Sequence, residues 1–380
     1  MDFELTEEQK LFQDTVRDFC DREISRDYVR ECDKERRPPT EVFDAIAKQG
    51  WLGINIPEEY GGLGGGATEV AILLEEVGKS FLDLAFWIFR VVTYGGFALQ
   101  RDGSPEQIER LLPRIAAGNC SICFALTEPS SGSDAASIQT TAVDDGDAYV
   151  VSGQKVFTSG FKVSDYAIVA TKTSRGENRH SGFTNFLIDT SSPGLQATPI
   201  ETLGHWPLGT ALLYFDNVRV PKENVLGKVG DGWPALNAYL NYERLCLSAA
   251  RTGAAQAALA DALEYAKTRN AFGRPIGKFQ AVSHKLAEMQ VMVELSKLLV
   301  LQYTWRPDKG LNTARDAAIV KLYTCESYKE IADLGLQVLG GYGYTMEYDL
   351  QRHYREARLG TIGAGTSEIQ HNIIAKSMGL

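Results

Sequence analysis

This sequence of 380 residues has few of the features that mark secreted, membrane-spanning or nucleic-acid-binding proteins. Its first residues, MDFELTEEQKLF, are acidic and polar, unlike a secretory signal or an arginine-rich transit peptide. No apolar run approaches the roughly 20 residues that a bilayer span needs. Acidic residues outnumber basic ones by 49 to 39, which disfavours a nucleic-acid surface and gives no polybasic membrane anchor. These absences predict a cytoplasmic protein.

Cysteine is sparse as well. Six cysteines are spread over the chain, which argues against a disulfide framework and fits a reducing compartment. One close pair, Cys120 and Cys123 in CSIC, leaves a redox or metal site as an alternative. No second pair follows, the five histidines are scattered, and the surrounding run alternates like a buried strand. The pattern therefore favours packing in the core, and we predict no metal site.

Glycine is abundant, but its spacing does not fit a dinucleotide fold of the βαβ type. No glycine-rich stretch follows a strand, opens a helix and has an acidic residue about 20 positions further on. The stretch GGLGGG, residues 61–66, is better explained as a loop before a helix. Repeats of solenoid length and low-complexity segments are also missing.

Three regions differ in their periodicity. Residues 1–118 have helical spacing, and Thr6 with Gln9 forms a capping-box pattern before the first helix. Residues 119–228 hold short β-branched and aromatic runs separated by turn residues, typical of a barrel or sandwich. Residues 229–380 return to long helical periods, which predict a bundle. The expected fold class is α+β, with an N-terminal helical domain, a middle β-barrel-like domain and a C-terminal four-helix bundle.

Two stretches of the β region carry side chains suited to a cofactor. Residues 127–134, TEPSSGSD, offer hydroxyls and backbone N–H groups in a glycine-containing turn of the kind that receives a phosphate. Residues 152–160, SGQKVFTSG, place Phe157 beside two hydroxyl side chains. An aromatic ring stacks on a flat ligand ring and a hydroxyl donates to it. Taken singly, both stretches are equally typical of an ordinary turn and strand.

The order and spacing of seven motifs resemble one family across nearly the whole chain. The motifs are IPEEYGGLG, LTEPSSGSD, GQKVFTSG, FDNVRVPKENVLG, RNAFGRPIGKFQ, QVLGGYGY and IGAGTSEIQ. With the α, β, α layout they resemble the acyl-CoA dehydrogenases, flavoenzymes that introduce a double bond between C2 and C3 of an acyl thioester. The resemblance implies FAD as the cofactor, an acyl-CoA substrate and an electron-transferring flavoprotein as the electron acceptor.

The resemblance also implies two sets of cofactor residues. The first set contacts the flavin ring and the pyrophosphate, with Phe157 at a stacking position and Ser159 near flavin N5. Its other members are Phe124, Leu126, Thr127, Gly132, Ser133, Thr366 and Glu368. The second set reaches across a subunit interface to the ADP half of FAD, which implies a homo-oligomer, usually a homotetramer of paired dimers. Its members are Arg269, Phe272, Gln280, Gln337 and Gly341.

The catalytic acid is missing from the place where many members of the family carry it. Those members have glutamate immediately before a Gly-Thr pair, and this chain has Ala364 there. The pattern GAGTSE resembles isovaleryl-CoA dehydrogenases, whose base lies before an arginine on the helix that follows the β domain. Here Glu243 precedes Arg244. In this resemblance the backbone N–H of Ala364 still polarises the thioester carbonyl.

A chemical argument supports Glu243 independently. The α-proton of a thioester is a poor acid, so its removal needs a carboxylate within reach, desolvated so that its pKa moves toward the working pH. Glu243 is followed by an apolar, small-residue helix that should be buried. We therefore predict Glu243 as the base, with a surface acid paired with Arg244 as the alternative.

The acyl group is less well defined by the sequence. Ser133, Arg244 and Gly363 are predicted to contact the thioester by resemblance. Aromatic residues in flanking segments favour a short, branched, cyclic or aromatic-type acyl group: Phe86, Trp87, Phe89, Tyr94, Tyr239 and Tyr242. Asp83 and Arg90 interrupt an apolar stretch, and a helix-capping aspartate and a snorkelling arginine are favoured over contact with a polar acyl tail, such as a carboxylate at Arg90.

Three other functions stay compatible with the sequence. The reaction could run in reverse, as a flavin-dependent enoyl-CoA reductase. The thioester could be carried by an acyl-carrier protein instead of CoA. A flavin-binding protein without activity is the third alternative, and the presence of Glu243 argues against it.

Overall fold

The computed structural model describes residues 4–176, 178–306 and 314–380. In the described chain, α-helices precede the first strand throughout the N-terminal region. They are α1 (Glu7–Glu23), α2 (Arg26–Glu35), α3 (Thr40–Lys48), α4 (Ala67–Ser80), α5 (Leu82–Arg90), α6 (Ala98–Asp102) and α7 (Pro105–Ala116). The predicted capping box of α1 is confirmed: the Gln9 N–H donates to Thr6 Oγ1 at 3.2 Å and the Thr6 N–H donates to Gln9 Oε1 at 3.0 Å.

Helix α5 continues into α6 through a π-helical segment, Val91–Phe97. Its two glycines leave room for neighbouring side chains. A Cβ on Gly95 would lie 2.9 Å from Ile115 Cγ2, and a Cβ on Gly96 would lie 2.5 Å from Asn55 Oδ1. The Asn55 amide in turn donates to the Val92 carbonyl at 2.8 Å. Segments of π-helix are rare and are concentrated at functional sites. This one contains Tyr94.

The continuous helix Leu82–Asp102 corrects one prediction. By length and composition it is apolar enough to cross a membrane, whereas the sequence was predicted to contain no such run. In the fold 94% of its apolar window is buried, so it is a core helix of this domain. The two charges and the paired glycines in this segment concealed its length.

The middle region is a sheet of eight strands with its own hydrophobic core. The strands are β1 (Ile122–Ala125), β2 (Thr141–Asp145), β3 (Ala148–Ser159), β4 (Tyr166–Lys172), β5 (Phe183–Asp189), β6 (Leu195–Ile200), β7 (Thr210–Pro221) and β8 (Val225–Leu226). Their order is β6-β7-β3-β2-β4-β5-β8, with β1 parallel to β4. Pairing between β3 and β7 shifts register between Lys155 and Thr158, which marks a bulge around Phe157.

Long helices form the C-terminal region. They are α8 (Trp233–Thr268), α9 (Gln280–Trp305), α10 (Ala314–Leu339), α11 (Leu350–Gly360) and α12 (Ser367–Ser377), with a hairpin of β9 (Asn270–Ala271) and β10 (Arg274–Pro275) between α8 and α9. Residues of both helical regions share one large hydrophobic core. The predicted α+β fold with helical, β and helical domains is therefore confirmed.

All six cysteines are free and buried. Cys120 and Cys123 are 1% and 0% exposed, so they pack in the interior as predicted. Burial raises the pKa of the Cys123 thiol to about 11, which leaves it protonated and unreactive at neutral pH.

Candidate active site

Glu243 lies on α8 at the border between solvent and core. The residues that follow it, 244–255, are all buried, whereas Glu243 itself is partly buried. Small residues make this burial possible, because α4 and α8 approach closely: a Cβ on Gly253 would lie 1.9 Å from the Glu75 carbonyl oxygen. The sequence therefore places a carboxylate directly before the buried part of α8, which packs closely against α4.

Burial raises the pKa of Glu243 above its ordinary value. Interaction with the Tyr94 hydroxyl and the positive charges of Arg244, Arg90 and Arg251 act in the opposite direction and do not cancel the effect of burial. Among the described residues Glu243 forms no ion pair with Arg244, whose guanidinium bonds elsewhere. The alternative of a surface ion pair is therefore wrong, and a desolvated carboxylate with a raised pKa fits a general base.

Arg244 connects the base to the loop that holds Ala364. Its Nε donates to the Ala364 carbonyl at 3.3 Å, and its Nη1 donates to Asn241 Oδ1 at 2.8 Å. Ala364 has a φ of 55°, the left-handed conformation that is uncommon for residues other than glycine. The Ala364 N–H forms no hydrogen bond within the described chain. A free N–H on the loop that Arg244 contacts is available to polarise a carbonyl.

Two residues that the sequence analysis missed hold the same loop. Lys321 is fully buried, and its ammonium donates to the Gly365 carbonyl at 2.6 Å. The Gln370 amide donates to the carbonyls of Gly365 at 2.8 Å and Ala364 at 3.2 Å. Burial lowers the pKa of Lys321 to about 8. A lysine inside the apolar run AAIVKLYTC was the available signal.

The predicted flavin residues of the β domain lie in an exposed or partly exposed surface. Phe124 in β1 and Leu126 directly after the strand are both partly buried, on either side of buried Ala125. Gly132 and Ser133 are exposed in the turn that follows. Buried Lys155 braces this turn, since its ammonium donates to Glu128 Oε1 at 2.7 Å and to the Leu126 carbonyl at 3.0 Å.

Phe157 has the geometry of a ligand contact. Its side chain is 62% exposed and its backbone has a φ of 59°, although it lies inside a sheet. An exposed aromatic ring in a strained conformation is unfavourable without a partner. Nearby, Ser159 Oγ is within hydrogen-bond distance of Thr210 Oγ1, at 3.1 Å. The Thr127 carbonyl accepts from the Val156 N–H at 2.8 Å, which ties the two motifs together.

The second predicted set lies on another surface, around the β9–β10 hairpin. Phe272 at the tip of the hairpin is 95% exposed and has a φ of 51°. The Arg269 guanidinium lies 5.5 Å from the ring centre of Tyr342, next to Gly341. Gln280 and Gln337 are exposed too. The set therefore presents polar and aromatic groups outward, as contact with a second subunit would require.

The remaining predicted residues are distributed unevenly. Thr366 is the N-cap of α12, accepting from the Ile369 N–H at 3.3 Å, and Glu368 is exposed in the first turn. Gly363 is partly buried beside Ala364. Tyr242 stacks on Phe97 with ring centres 4.4 Å apart. In contrast, Tyr239 is fully buried and donates to Asp102 Oδ2 at 2.7 Å, a core position that gives no support to a substrate contact.

Two predictions about charges in α5 are wrong. Asp83 does not cap the helix: it is 0% exposed, and its Oδ1 lies 3.0 Å from His205 Nδ1. Arg90 does not snorkel to solvent, because it is only 6% exposed and its Nη1 donates to the Phe86 carbonyl at 2.7 Å. Both charges are part of the interior, and that of Arg90 acts on Glu243.

Comparison with known proteins yields one consistent family. The N-terminal, middle and C-terminal domain profiles of acyl-CoA dehydrogenases match residues 6–119, 123–218 and 230–379. A probable acyl-CoA dehydrogenase of Bacillus subtilis is 36% identical over 379 residues, covering all of both chains. A 3-(aryl)acrylate reductase of Clostridium sporogenes is 34% identical, covering 98% of this chain and 99% of its own.

Two further matches extend the comparison. A caffeyl-CoA reductase–Etf complex subunit of Acetobacterium woodii is 35% identical, covering 97% of this chain and 98% of its own. The solved structure of butyryl-CoA dehydrogenase from Megasphaera elsdenii superimposes with a TM-score of 0.95 at 32% identity, covering both chains completely.

Proposed function

This chain belongs to the acyl-CoA dehydrogenase family, and we propose that it dehydrogenates a short, branched, cyclic or aromatic-type acyl-CoA to the 2-enoyl-CoA with Glu243 as the base. One observation carries the proposal. A desolvated carboxylate with a raised pKa adjoins Arg244, which bonds the carbonyl of Ala364, the residue at the usual glutamate position. The sequence pattern of these residues, GAGTSE with Glu243 before Arg244, resembles that of isovaleryl-CoA dehydrogenases.

The family is FAD-dependent, and the residues of this chain fit the cofactor. An exposed, strained Phe157 provides a ring to stack on the flavin, and the open turn at Gly132 and Ser133 provides N–H groups for a pyrophosphate. Ser159 and Thr127 supply nearby hydroxyls. Bound FAD supplies the acceptor for the hydride that leaves C3.

The protein groups perform the other part of the reaction. Glu243 takes the C2 proton, and its raised pKa brings its basicity closer to that of the thioester enolate. The unbonded N–H of Ala364 donates to the thioester oxygen, on which negative charge develops. Arg244, Lys321 and Gln370 hold the loop of Ala364 so that this donor needs no reorganisation.

Two stacked aromatic pairs support the proposed class of acyl group. Tyr94, whose hydroxyl interacts with Glu243, stacks on Phe124 at 5.1 Å, and Tyr242, which precedes Glu243, stacks on Phe97 at 4.4 Å. Flat aromatic rings beside the proposed acyl site would limit its thickness, which suits a planar or short acyl group. Two relatives are named for aryl and caffeyl substrates.

The reverse reaction is the second candidate. The same two relatives are named as reductases, and the base that removes a C2 proton also returns it in the opposite direction. The name of the second relative includes Etf, which supports an electron-transferring flavoprotein as the redox partner of this chain.

A paired titration separates the candidates. Oxidised holoenzyme is titrated anaerobically with straight, branched, cyclic and aryl acyl-CoAs, and reduced holoenzyme is titrated with the matching 2-enoyl-CoAs, both followed by flavin absorbance. We expect at least one acyl-CoA class to bleach the oxidised flavin. Reoxidation by enoyl-CoAs without any bleaching by acyl-CoAs favours the reductase. Bleaching only by a carrier-protein thioester favours the acyl-carrier-protein thioester dehydrogenase.

The pH dependence of the reaction follows from the raised pKa of Glu243. Only the deprotonated carboxylate is a base, so kcat/KM is lost as pH falls through the raised pKa, above the ordinary value of 4.5. The folded protein also binds this proton more tightly than the unfolded chain does. Stability from this group therefore falls as pH rises through the same window.

Activity and thermal midpoint are thus expected to change in opposite directions with pH. Glu243→Gln should remove the part of the pH dependence of the thermal midpoint that comes from this carboxyl. Melting curves recorded over a series of pH values measure it. An acid limb of kcat/KM centred at the ordinary carboxyl value would contradict this prediction.

Phe157→Gly separates cofactor binding from folding. Loss of the stacking ring is expected to weaken FAD affinity about tenfold or more. Glycine accepts a positive φ without strain, so the free energy of unfolding of the apoprotein should rise by about 1 kcal/mol. Fluorescence titration with FAD and melting of the apoprotein test the two effects. Val143→Ala, at another exposed apolar residue of the domain, should leave FAD affinity unchanged. An unchanged affinity of Phe157→Gly would argue against the stacking role.

The proposed assembly is a homotetramer of paired dimers in the cytoplasm. Phe272, Gln337 and Gly341 are exposed, which suits contact with the cofactor of a second subunit. Exposed apolar residues on α9, namely Val291, Leu295 and Leu298, provide a further surface for association.

A further inference from the structure

The guanidinium of Arg90 is buried, and the charges of Asp83 and Glu243 act on it. Its side chain is 6% exposed, and its one hydrogen bond within the described chain is from Nη1 to the Phe86 carbonyl. No described residue forms an ion pair with it. Nε and Nη2 make no hydrogen bond there, yet they are not among the nitrogen atoms sealed from solvent. Most donors of this guanidinium are therefore unused and face accessible space.

Arg90 lies beside the proposed reaction centre. It precedes Tyr94 by about one turn of the same helix, roughly 5–6 Å, and both side chains act on Glu243. On its other side it contacts the β domain, because a Cβ on Gly160 would lie 3.2 Å from Arg90 Nε. Gly160 follows Ser159, the residue predicted near flavin N5. Arg90 therefore lies near both Glu243 and the end of the strand that is predicted to face the flavin.

A second unpaired guanidinium strengthens the positive field. Arg251 is 1% exposed, its Nε and Nη1 have no hydrogen-bond partner in the described chain, and its Cζ lies 4.9 Å from the Phe86 ring centre. The nearby acid Asp83 is bonded to His205. An unpaired buried charge is unfavourable, so a carboxylate that pairs with the Arg90 guanidinium is stabilised there.

We propose that Arg90 binds a carboxylate at the far end of the acyl chain, so that the substrate is the mono-CoA thioester of a dicarboxylic acid. The carboxylate oxygens accept from Nε and Nη2 in the paired geometry that arginine offers. This inference rests on the proposed function, because it needs a thioester at Glu243. It narrows the substrate class to acyl groups with a second acid.

Binding without turnover tests the proposal. In the Glu243→Gln holoenzyme, calorimetry gives the Kd for glutaryl-, adipyl- and pimelyl-CoA against pentanoyl-, hexanoyl- and heptanoyl-CoA. At least one dicarboxylic probe is expected to bind tenfold or more tightly than its matched monocarboxylic probe. Adding Arg90→Met should remove this preference and change monocarboxylic affinity less than threefold, and Arg90→Lys should keep part of it.

A matched arginine provides the control. Arg355 is also mostly shielded, with 10% of its side chain exposed, but its Nη2 donates to Asp33 Oδ2 at 2.6 Å. Arg355→Met should lower the thermal midpoint and leave the preference intact, whereas Arg90→Met should leave the midpoint unchanged or raise it. Equal affinities for matched probes in the parent protein, or a preference that survives Arg90→Met, overturn the proposal. If no CoA thioester binds, the proposed function fails as well.

Discussion

Replacing Glu243 with glutamine is expected to abolish flavin reduction by the acyl-CoA substrate while leaving thioester affinity nearly unchanged. Glutamine has the same shape but cannot accept a proton. A general base typically accelerates a reaction 10²–10⁴-fold, so we expect a fall of about 10³–10⁴-fold. Anaerobic rapid mixing, followed by flavin absorbance, measures the rate constant.

Glu326→Gln is the matched control for this substitution. Glu326 is a carboxylate beside the same loop, where its Oε1 accepts from the Ser367 hydroxyl at 2.6 Å. It is expected to reduce flavin within about threefold of the wild-type rate, because it has no catalytic part. If Glu326→Gln were inactive and Glu243→Gln active, the assignment of the base would be wrong.

Gly253→Val is expected to destabilise the protein more than any other single change considered. The added side chain would collide with the backbone of α4, where a Cβ would lie 1.9 Å from the Glu75 carbonyl oxygen and 2.7 Å from the Lys79 nitrogen. Backbone atoms of a packed helix cannot turn aside, so overpacking should cost about 3 kcal/mol or more, or roughly 6–12 °C in thermal midpoint.

The same substitution moves α8 away from α4 and thereby shifts Glu243. Ala260→Val is the control, since Ala260 is exposed on the same helix and should lower the midpoint by no more than about 2 °C. Gly253→Val melting like the wild type would show that the two helices do not pack in this way.

The fold was largely predictable because each region has a clear period. The runs AYVVSGQKVF, DYAIVATKT, FTNFLID and ALLYFDNVRV match β3, β4, β5 and β7. Strands β2 and β6 were not predicted, since TAVDD and LQATPI lack an apolar run. Their pairing with β3 and β7 is a long-range effect that no local pattern records.

The interior of the site was less predictable, for physical reasons. Asp83 was predicted to cap a helix and Arg90 to reach solvent, because burying a charge is unfavourable. The structure buries both side chains. The π-helical segment depends on Asn55, which is distant in sequence. Lys321 was missed because its partner, the Gly365 carbonyl, lies 44 residues away. Glu243 and Phe157, in contrast, were proposed from motifs that retain their order along the chain.

The central claim is that Glu243 removes the C2 proton, and proton exchange tests it without hydride transfer. An acyl-CoA in which sulfur replaces C3 has no hydride to lose, so deuterium at C2 after incubation with holoenzyme in deuterium oxide reports the base alone. We predict that wild type incorporates deuterium and that Glu243→Gln, binding with similar affinity, does so about 10³-fold more slowly. Incorporation at the same rate by both proteins would contradict the claim.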